Sequence, residues 1–600
     1  MLAMTIDGWI TLATIAAAAL LLVTERLRPD LTALLVLLTL NLTGVLTPEE
    51  AFSGFSQAAV ITILSTFILT AGLEQSGVTR WIGQRILHWA GSQERRLVAS
   101  LTLTSAGLST FMNSIAAAAV LVPTSVSIAR HSELRPSRLL MTLSYGAMLG
   151  GTATLLTTAN IVVSTALANA GYRPFGLLDF LPVGVPLVLG GTALLVWLAP
   201  HLLPNRDVGG DLRRTRHMEG ELGRLYKLLQ GATEILIRPG SALAGLTLGE
   251  SGVGRDLGLT ALGVFHQGRM RLAPDRETIL EEGDILIVEG RPTDEQQQRY
   301  GFQVAADPRL PYTLASENVP LVEVILAPRS ELEGKSLRQA RFRERYGLQG
   351  LAVWRQGQIL QQGVSDLPLR LGDALLLQGP RDKVDLLKLD AQLIVLEEET
   401  RERPGLRAYL ASGIMLACLL LAGLQVLPVA TAMLTGATLM ILTGCLSMDD
   451  AYRAVSWKAV FMVAFMLPVS IALQASGTAD VLARVVVEGA GNLGSLGISA
   501  VLLLLTIGTA LLIGGQTAAV VIAPIAIAVA GTLRVDARAM AMAVALGCSF
   551  GFLTPLGHSA NLLVMGPGGY STRDYLRLGA PLTLLVVVIT LAGLHWIWGL

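Results

Sequence analysis

Charged residues are scarce in this sequence of 600 residues, since Asp, Glu, Lys and Arg make up only 15% of it, against about 25% in soluble domains. The 45 basic and 45 acidic residues cancel, so no basic field exists that would attract nucleic acid, and no nucleic-acid partner is expected. Cysteine is nearly absent, with only Cys418, Cys445 and Cys548. None has the spacing of a zinc site or a redox pair, which argues against such a centre and against a disulfide framework.

Apolar residues, by contrast, are abundant and unevenly placed. They form 52% of the sequence and the mean hydropathy is +0.57, which is typical of a chain that lies mostly in lipid. Charged residues number 19 in residues 1–200, 54 in residues 201–400 and 17 in residues 401–600. This distribution predicts two membrane regions, residues 1–204 and 403–600, and a soluble insert between them; the repeat described below divides the insert into two domains, residues 205–310 and 311–402.

Each half contains five apolar segments long enough to cross the hydrocarbon, which is about 30 Å thick. Each half also has a longer stretch, residues 97–129 or 495–531, that small polar residues and a proline interrupt; two helices or a re-entrant hairpin would fit it. With hairpins, the odd number of crossings inverts the second half relative to the first. The apolar segments are residues 8–24, 31–46, 57–75, 139–170, 178–200, 407–424, 428–446, 457–475, 539–565 and 579–600.

Arginines indicate the orientation of the first half. If the insert is cytoplasmic, nine arginines of this half lie inside and Arg173 alone lies outside, as the positive-inside rule requires. The second half shows a weaker preference, with four basic residues inside and three outside. We therefore expect an integral multi-pass protein, surrounded by membrane lipid, with residues 205–402 in the cytoplasm.

Two sequence repeats relate the halves. LTGVLTPEEAF at residues 42–52 recurs as LTGCLSMDDAY at residues 442–452, and DFLPVGVP at residues 179–186 recurs as DYLRLGAP at residues 574–581. Duplicated halves of opposite topology are the architecture of secondary transporters. The predicted fold is an α-helical membrane protein with two inverted repeats, each with a re-entrant hairpin, plus a central soluble α+β insert.

The interrupted stretches are the expected place of the chemistry. FMNSIAAAAVLVP at residues 111–123 and IGGQTAAVVIAP at residues 513–524 are each followed by a Gly- and Thr-rich break, residues 150–160 and 551–561, that ends in asparagine. Backbone groups freed at such breaks cannot be satisfied by lipid, but they can bind ions. Because these stretches contain no Asp, Glu, Lys or Arg, helix dipoles would bind an anion and neutral oxygens would bind Na⁺. The alternative is that small residues merely allow close helix packing.

TPLGHSANLLVMGPGGYSTRDYLRLGAP at residues 554–581 resembles the C-terminal signature of the divalent anion/sodium symporter family, in its sulfate permease-like branch. GGTATLLTTANIVVS at residues 150–164 is similar to the matching segment of the first half, with one residue fewer. The resemblance implies Na⁺-coupled symport of a small divalent oxyanion, sulfate before dicarboxylate, by elevator-type alternating access. The expected location is a bacterial inner or plasma membrane, and a homodimer is expected from the insert described below.

The resemblance further implies a site between the hairpin tips, with one Na⁺ near each tip and the anion between them. The first Na⁺ would lie near Asn113, Ser114 and the backbone carbonyls of Gly151, Thr152 and Thr154, and the second near Gly515, Gln516, Thr517, Gly551 and Thr554. The anion would contact Asn113, Ser114, Thr158, Gln516, Thr517, Thr554, Pro555 and His558.

His558 is the only titratable side chain in these stretches. Two roles stay open for it, a hydrogen bond to a backbone carbonyl and a proton relay. A proton-coupled or arsenite-type exchanger, in which His558 would matter, is therefore an alternative function. A channel gated by the insert is another, although no TVGYG-like filter is present. An enzyme is not expected, because no nucleophile, base and orienting acid or metal cluster occurs.

The insert contains two copies of one unit at an offset of 89 residues, from Pro239 and Pro328 to Gly290 and Gly379. Each copy predicts a strand (residues 233–238; 322–327), a short helix, strands near residues 259–265 or 348–354, and a strand after a Gly-Asp turn. GVGRDLG at residues 252–258 lacks the βαβ frame of a dinucleotide site and predicts a turn. The pattern resembles the TrkA-C (RCK-C) domain, which implies dimerisation. A sensor of a small ligand, such as a nucleotide, and a rigid platform without a ligand both stay open.

Overall fold

The computed structural model describes most of the chain. The described residues are 4–24, 26–79, 81, 85, 93–132, 134–205, 232–254, 256–266, 269–272, 274–289, 292–304, 321–327, 330–355, 358–360, 363–387, 392–396, 405–490 and 493–600. The chain divides into two compact units. The membrane unit comprises Met1–Asn205, Glu399–Val564 and Tyr570–Leu600, and the insert unit comprises Arg206–Glu398 and Met565–Gly569.

The regular structure in the described residues of the first half of the membrane unit consists of helices joined by turns and breaks. Its helices begin at residues that favour helix starts: Thr5 caps α1 by accepting a hydrogen bond from the Gly8 N–H at 3.1 Å, and Pro29 opens α2, where its fixed φ suits the first turn. The helices are α1 (Ile6–Val23), α2 (Pro29–Leu42), α3 (Pro48–Phe52), α4 (Ala58–Gln75), α5 (Glu94–Ser109), α6 (Ser114–His131), α7 (Leu140–Gly151), α8 (Thr158–Asn169) and α9 (Leu181–Leu202).

The second half repeats this order after the insert, so that α1 and its counterpart begin at Ile6 and Leu406, 400 residues apart. The predicted segments 139–170 and 539–565 are each divided by a non-helical break. The helices α13 to α22, numbered after the three of the insert, are α13 (Leu406–Gly423), α14 (Val429–Leu442), α15 (Met448–Ala454), α16 (Trp457–Ala475), α17 (Thr478–Ala490), α18 (Gly494–Ile513), α19 (Gly515–Leu533), α20 (Ala537–Gly547), α21 (Ser559–Gly568) and α22 (Thr572–Trp598).

Apolar length and mutual packing identify the membrane core. Eight helical segments within the described residues are long and apolar enough to cross a membrane. The halves pack in a reciprocal way, because α2 of the first half contacts α16 and, at the matching position, α14 contacts α4. Both interrupted stretches form helical hairpins, α5 with α6 and α18 with α19. The predicted fold class of repeated helical halves with hairpins and a sheet-containing insert is confirmed.

The insert unit contains two five-stranded antiparallel sheets of the same topology. Their strand orders are β3-β2-β4-β1-β5 and β8-β7-β9-β6-β10, and Ile235 and Val324 lie in the separate hydrophobic cores. The described residues of the predicted turn at 252–258 form turns, with Gly252 and Gly258 at φ of 71° and 67°. The elements are β1 (Ala232–Ile237), β2 (Thr260–His266), β3 (Arg269–Leu272), β4 (Ile285–Glu289), α10 (Asp294–Tyr300), β5 (Phe302–Val304), β6 (Leu321–Leu326), α11 (Phe342–Tyr346), β7 (Gln349–Arg355), β8 (Gln358–Leu360), β9 (Ala374–Gln378), α12 (Arg381–Leu387) and β10 (Leu393–Val395).

The Gly-Asp turn has the same structural role in both copies, with a different cation. In the first copy, Asp284 is buried and its Oδ1 lies 2.7 Å from Nδ1 of His266. In the second copy, the buried Asp373 accepts a hydrogen bond from Nε of Arg355 at 2.8 Å. The hydrogen bond to Asp284 raises the pKa of His266 above its ordinary 6.5. The first copy therefore has a titratable partner where the second has a permanent cation.

Candidate functional site

The first hairpin tip is closed by its own side chains. α5 ends at Ser109 and α6 begins at Ser114. Oδ1 of Asn113 accepts a hydrogen bond from the Ile115 N–H at 2.9 Å, which is the usual cap of a helix start. The hydroxyls of Ser114 and Ser109 lie 2.9 Å apart and share a hydrogen bond. The polar groups of this tip are thus partly paired within the hairpin.

The second hairpin tip is tighter and leaves a hydroxyl unpaired. A single residue, Gly514, joins α18 to α19, with φ 84° and ψ 148°, a conformation that is accessible essentially only to glycine. The next residue, Gly515, lies against the break, since a Cβ there would be 2.3 Å from the carbonyl oxygen of Cys548. Thr517 is 3% exposed, and its Oγ1 has no hydrogen-bond partner among the described residues.

Each break is held by the asparagine that ends it. In the first half, Nδ2 of Asn160 donates to the carbonyl oxygen of Thr154 at 2.8 Å. In the second half, Nδ2 of Asn561 donates to the carbonyl oxygens of Gly551 at 2.9 Å and of Thr554 at 3.2 Å. These bonds satisfy backbone carbonyls that no helix can satisfy there. The two asparagines therefore fix the shape of the two breaks.

The first half also braces the second break directly. Oγ of Ser144, on α7, donates to Oδ1 of Asn561 at 2.7 Å. The neighbouring Tyr145 is fully buried and donates its OH to the carbonyl oxygen of Phe552 at 2.8 Å. Because both donors lie on α7, this helix and the second break form one hydrogen-bonded block.

Both tips and both breaks line one cavity of about 310 Å³ inside the membrane unit. The expected convergence of the four stretches is thus present in the structure. Of the predicted residues, those that line the cavity are Asn113, Ser114, Thr158, Gly515, Gln516, Thr517 and His558. That these residues bind ions stays a prediction.

The remaining predicted residues are not among the described residues that line the cavity. The hydroxyls of the three threonines in this group are hydrogen-bonded to the backbone, and that the backbone carbonyls of these residues bind Na⁺ stays a prediction. The hydroxyl of Thr152 donates to the carbonyl oxygen of Leu149 at 2.6 Å, and the hydroxyl of Thr154 donates to the carbonyl oxygen of Thr110 at 2.7 Å. Oγ1 of Thr554 accepts the Gly557 N–H at 3.0 Å. The predicted residues in this group are Gly151, Thr152, Thr154, Gly551, Thr554 and Pro555.

Other lining residues were not predicted. Thr157 and Ser559 adjoin predicted positions, so the break motifs contain a signal for them. Thr66 and Phe67 lie on α4, whose sequence has no interruption that would mark a site. Ser549 follows the end of α20, is 7% exposed, and its Oγ has no partner in the described part of the chain. Only the tertiary packing brings these residues to the cavity.

The cavity wall combines apolar and polar side chains. Among the described residues, its lining contains no Asp, Glu, Lys or Arg, so hydroxyls, amides and backbone groups would have to bind any ion. Unpaired buried hydroxyls, such as those of Thr517 and Ser549, are costly unless a ligand satisfies them. Oxygen atoms of this kind suit a cation such as Na⁺, and helix N-termini suit an anion.

His558 lies in the cavity wall directly before α21. Its Nδ1 contacts a backbone N–H, that of Ala560 at 3.1 Å, in place of the backbone carbonyl considered from the sequence. At the matching position of the first half, Thr157 donates its hydroxyl to the carbonyl oxygen of Gly151 at 2.5 Å. His558 is therefore a helix cap whose second nitrogen remains available.

Comparison with known proteins gives a consistent result over nearly the whole chain. The family model described as "Citrate transporter" matches residues 19–547. The uncharacterized transporter sll0640 of Synechocystis is 32% identical over 595 residues, which are 97% of this chain and 95% of that protein. Sodium/sulfate cotransporter 1 of Chlamydomonas reinhardtii is 23% identical over 798 aligned residues, which cover 98% of this chain and 90% of that protein. The crystal structure of the YdaH transporter of Alcanivorax borkumensis is similar at 13% identity and a TM-score of 0.45, with 91% of this chain and 86% of that chain covered.

Proposed function

Because the chain belongs to the citrate transporter family, of the divalent anion/sodium symporter type, we propose that this integral multi-pass membrane protein couples inward movement of Na⁺ to uptake of sulfate. The proposed solute is a small divalent oxyanion, and alternating access would be of the elevator type. The sodium/sulfate cotransporter of Chlamydomonas, similar over 98% of this chain, supports both the ion and the substrate.

The cavity between the two hairpin tips is the single observation that carries the proposal. It joins Ser114 and Thr517 from opposite halves to His558 without any charged side chain. A divalent anion in such a site would be held by helix N-termini and by donors, and its negative charge would attract the coupling cations. Sodium bound first at the tips would then create the charge that the anion needs, which is a direct route to coupling.

The second tip is the better supported sodium site. Thr517 and Ser549 each offer a buried hydroxyl oxygen without a partner in the described residues, and Gly515 lies against the carbonyl oxygen of Cys548. Neutral oxygens at short range are the ligands that a dehydrated Na⁺ takes in transporters. At the first tip, Ser114 and Asn113 already have partners within the hairpin.

A carboxylate is the second candidate substrate. The matching family is described by citrate transport, and the cavity of about 310 Å³ equals the volume of about ten water molecules. That is more room than one sulfate requires, so the volume also admits a succinate or a citrate.

The insert is proposed to be a cytoplasmic regulatory region, residues 205–402, of TrkA-C type. The two antiparallel sheets of equal topology support a tandem duplication. Dimerisation of the transporter through this region, and a small ligand such as a nucleotide, are parts of the same proposal. A ligand could regulate transport only by binding more tightly to one conformation of the cycle than to another.

Uptake of radiolabelled sulfate into proteoliposomes tests the function. Inward gradients of Na⁺, K⁺ or H⁺ are compared, with succinate and citrate as competitors. We expect saturable uptake that only the Na⁺ gradient drives and that succinate does not reduce. Competition by succinate or citrate would favour the carboxylate, while uptake driven by H⁺ alone, or a conductance without stoichiometric solute, would contradict the proposal.

A further inference from the structure

We infer that His558 serves the substrate as a neutral hydrogen-bond donor, with Nδ1 committed to the start of α21 and the Nε2–H presented to the cavity. The inference rests on the proposed function, because it assigns a role within the same site. In this role, His558 determines the affinity for the substrate and takes no part in proton transfer.

The cap determines the tautomer. Nδ1 of His558 lies 3.1 Å from the backbone N of Ala560, and a nitrogen that accepts a hydrogen bond cannot carry a proton. A neutral ring then has its hydrogen on Nε2. Protonation of Nδ1 would place two donors face to face and break the cap of α21.

The second nitrogen is left for a ligand. His558 lines the cavity together with the tips of both hairpins, and Nδ1 is the ring nitrogen that has a hydrogen bond among the described residues. The described lining contains no carboxylate that would repel an anion. An N–H donor at Nε2 in such a cavity suits an oxyanion that offers acceptors.

The two halves differ at this position. The residue that matches His558 in the first half is Thr157, whose hydroxyl donates to the Gly151 carbonyl within its own break. At this position, therefore, only the second half has a donor that no partner in the described residues occupies. The anion would lie closer to the second break than to the first.

Two substitutions separate the cap from the donor. In His558→Asn, Oδ1 can replace Nδ1 as the cap, since Asn is among the best residues at a helix start, but no donor reaches as far as Nε2. In His558→Gln, the amide N–H reaches about as far as Nε2, but the cap is lost. Gln cannot relay a proton, so a relay would make this variant inactive.

The test measures sulfate uptake into proteoliposomes and thermal unfolding for both variants. His558→Asn should raise the KM for sulfate by about tenfold or more, the loss expected for one hydrogen bond to a charged group, and should unfold at the wild-type temperature. His558→Gln should unfold at a lower temperature and keep a KM close to wild type. Wild-type transport by His558→Asn, or loss of transport by His558→Gln with the protein folded, would overturn the inference.

A readout without transport keeps the two proposals distinguishable. In protein labelled with ¹⁵N-histidine, the signal that disappears in His558→Gln reports which ring nitrogen carries the proton. A hydrogen on Nε2 supports the assignment, and a hydrogen on Nδ1 refutes it. If wild-type protein transports succinate or citrate in place of sulfate, the proposed substrate is wrong, and the same two variants are then compared with that anion.

Discussion

Replacement of Thr517 by valine removes one hydroxyl from the second hairpin and leaves the side-chain volume almost unchanged. The hydroxyl is buried and without a partner in the described structure, and burial of such a group costs about 1–3 kcal/mol. A purely structural threonine would not be expected there. Without ligands, Thr517→Val should therefore be as stable as wild type, or more stable by up to that amount.

With Na⁺ and sulfate bound, wild-type protein should be more stable than Thr517→Val. A ligand at 100 times its Kd stabilises the folded protein by about 2.7 kcal/mol. Loss of one oxygen ligand to a cation, valued like a hydrogen bond to a charged group at about 1.5–3 kcal/mol, weakens binding by about 10- to 150-fold. Most of the stabilisation by Na⁺ and sulfate should then disappear in Thr517→Val.

The assay is thermal unfolding of purified protein in K⁺ or in Na⁺, each with and without sulfate. Thr506→Val is the matched control, because Thr506 is buried on the adjoining helix α18 and donates its hydroxyl to the Leu502 carbonyl at 2.7 Å. It should keep the full response to Na⁺ and sulfate. A full response in Thr517→Val as well, or a large loss of stability without ligands, would refute the reasoning.

Three further predictions concern the tip, the break and the insert. Gly515→Ala places a Cβ 2.3 Å from a facing carbonyl oxygen, so it should lower the unfolding free energy by about 1–3 kcal/mol and reduce Na⁺-driven uptake. The control is Gly531→Ala on the same helix, where a Cβ meets nothing within 4 Å; it should change neither stability nor uptake. Asn561→Ala removes two bonds to break carbonyls and should cost about 1–2 kcal/mol and abolish uptake; normal uptake would contradict the bracing role. The hydrogen bond to Asp284 raises the pKa of His266 above 6.5. The stabilisation of the folded insert by this pair is therefore fully present below about pH 6.5 and is lost as pH rises through the folded-state pKa. From pH 6 to pH 8, amide hydrogen exchange in β2 of the intact protein should accelerate beyond the intrinsic rate in wild type but not in His266→Arg.

The sequence predicts the repeated halves and the hairpins, because their signals are local. Small polar residues before Pro123 and Pro524 mark both tips, and the structure places both tips at the cavity. α17 is absent from the predicted segments, since Asp480, Arg484 and Glu488 lower its hydropathy. Such a helix is recognised by its amphipathic pattern, which a search for apolar runs does not detect.

The site could be predicted only in part. Thr152 and Thr154 are predicted to bind Na⁺ through their backbone carbonyls, and this stays a prediction; their hydroxyls bond to backbone carbonyls, and neither residue is among the described lining of the cavity. Thr66 and Ser549 reach it through packing between helices that are distant in sequence. Composition identifies the segments that can bind an ion, whereas the direction of each hydroxyl depends on backbone groups that tertiary structure leaves unpaired.

The strands of the insert were predictable because alternation and duplication reinforce each other. β1 and β6 place apolar residues such as Ile235 and Val324 in their cores. The equivalence of His266 in the first copy and Arg355 in the second is visible only in the structure, where each is hydrogen-bonded to a buried aspartate.

If Na⁺ supplies the positive charge that the cavity lacks, sulfate binds only together with Na⁺. Calorimetric titration of sulfate into purified wild-type protein, in Na⁺ and in K⁺ at equal ionic strength, measures this dependence. We expect saturable binding in Na⁺ and none in K⁺, with binding in Na⁺ strongly weakened by Thr517→Val. Equal sulfate binding in both salts, or binding that Thr517→Val leaves unchanged, would contradict it.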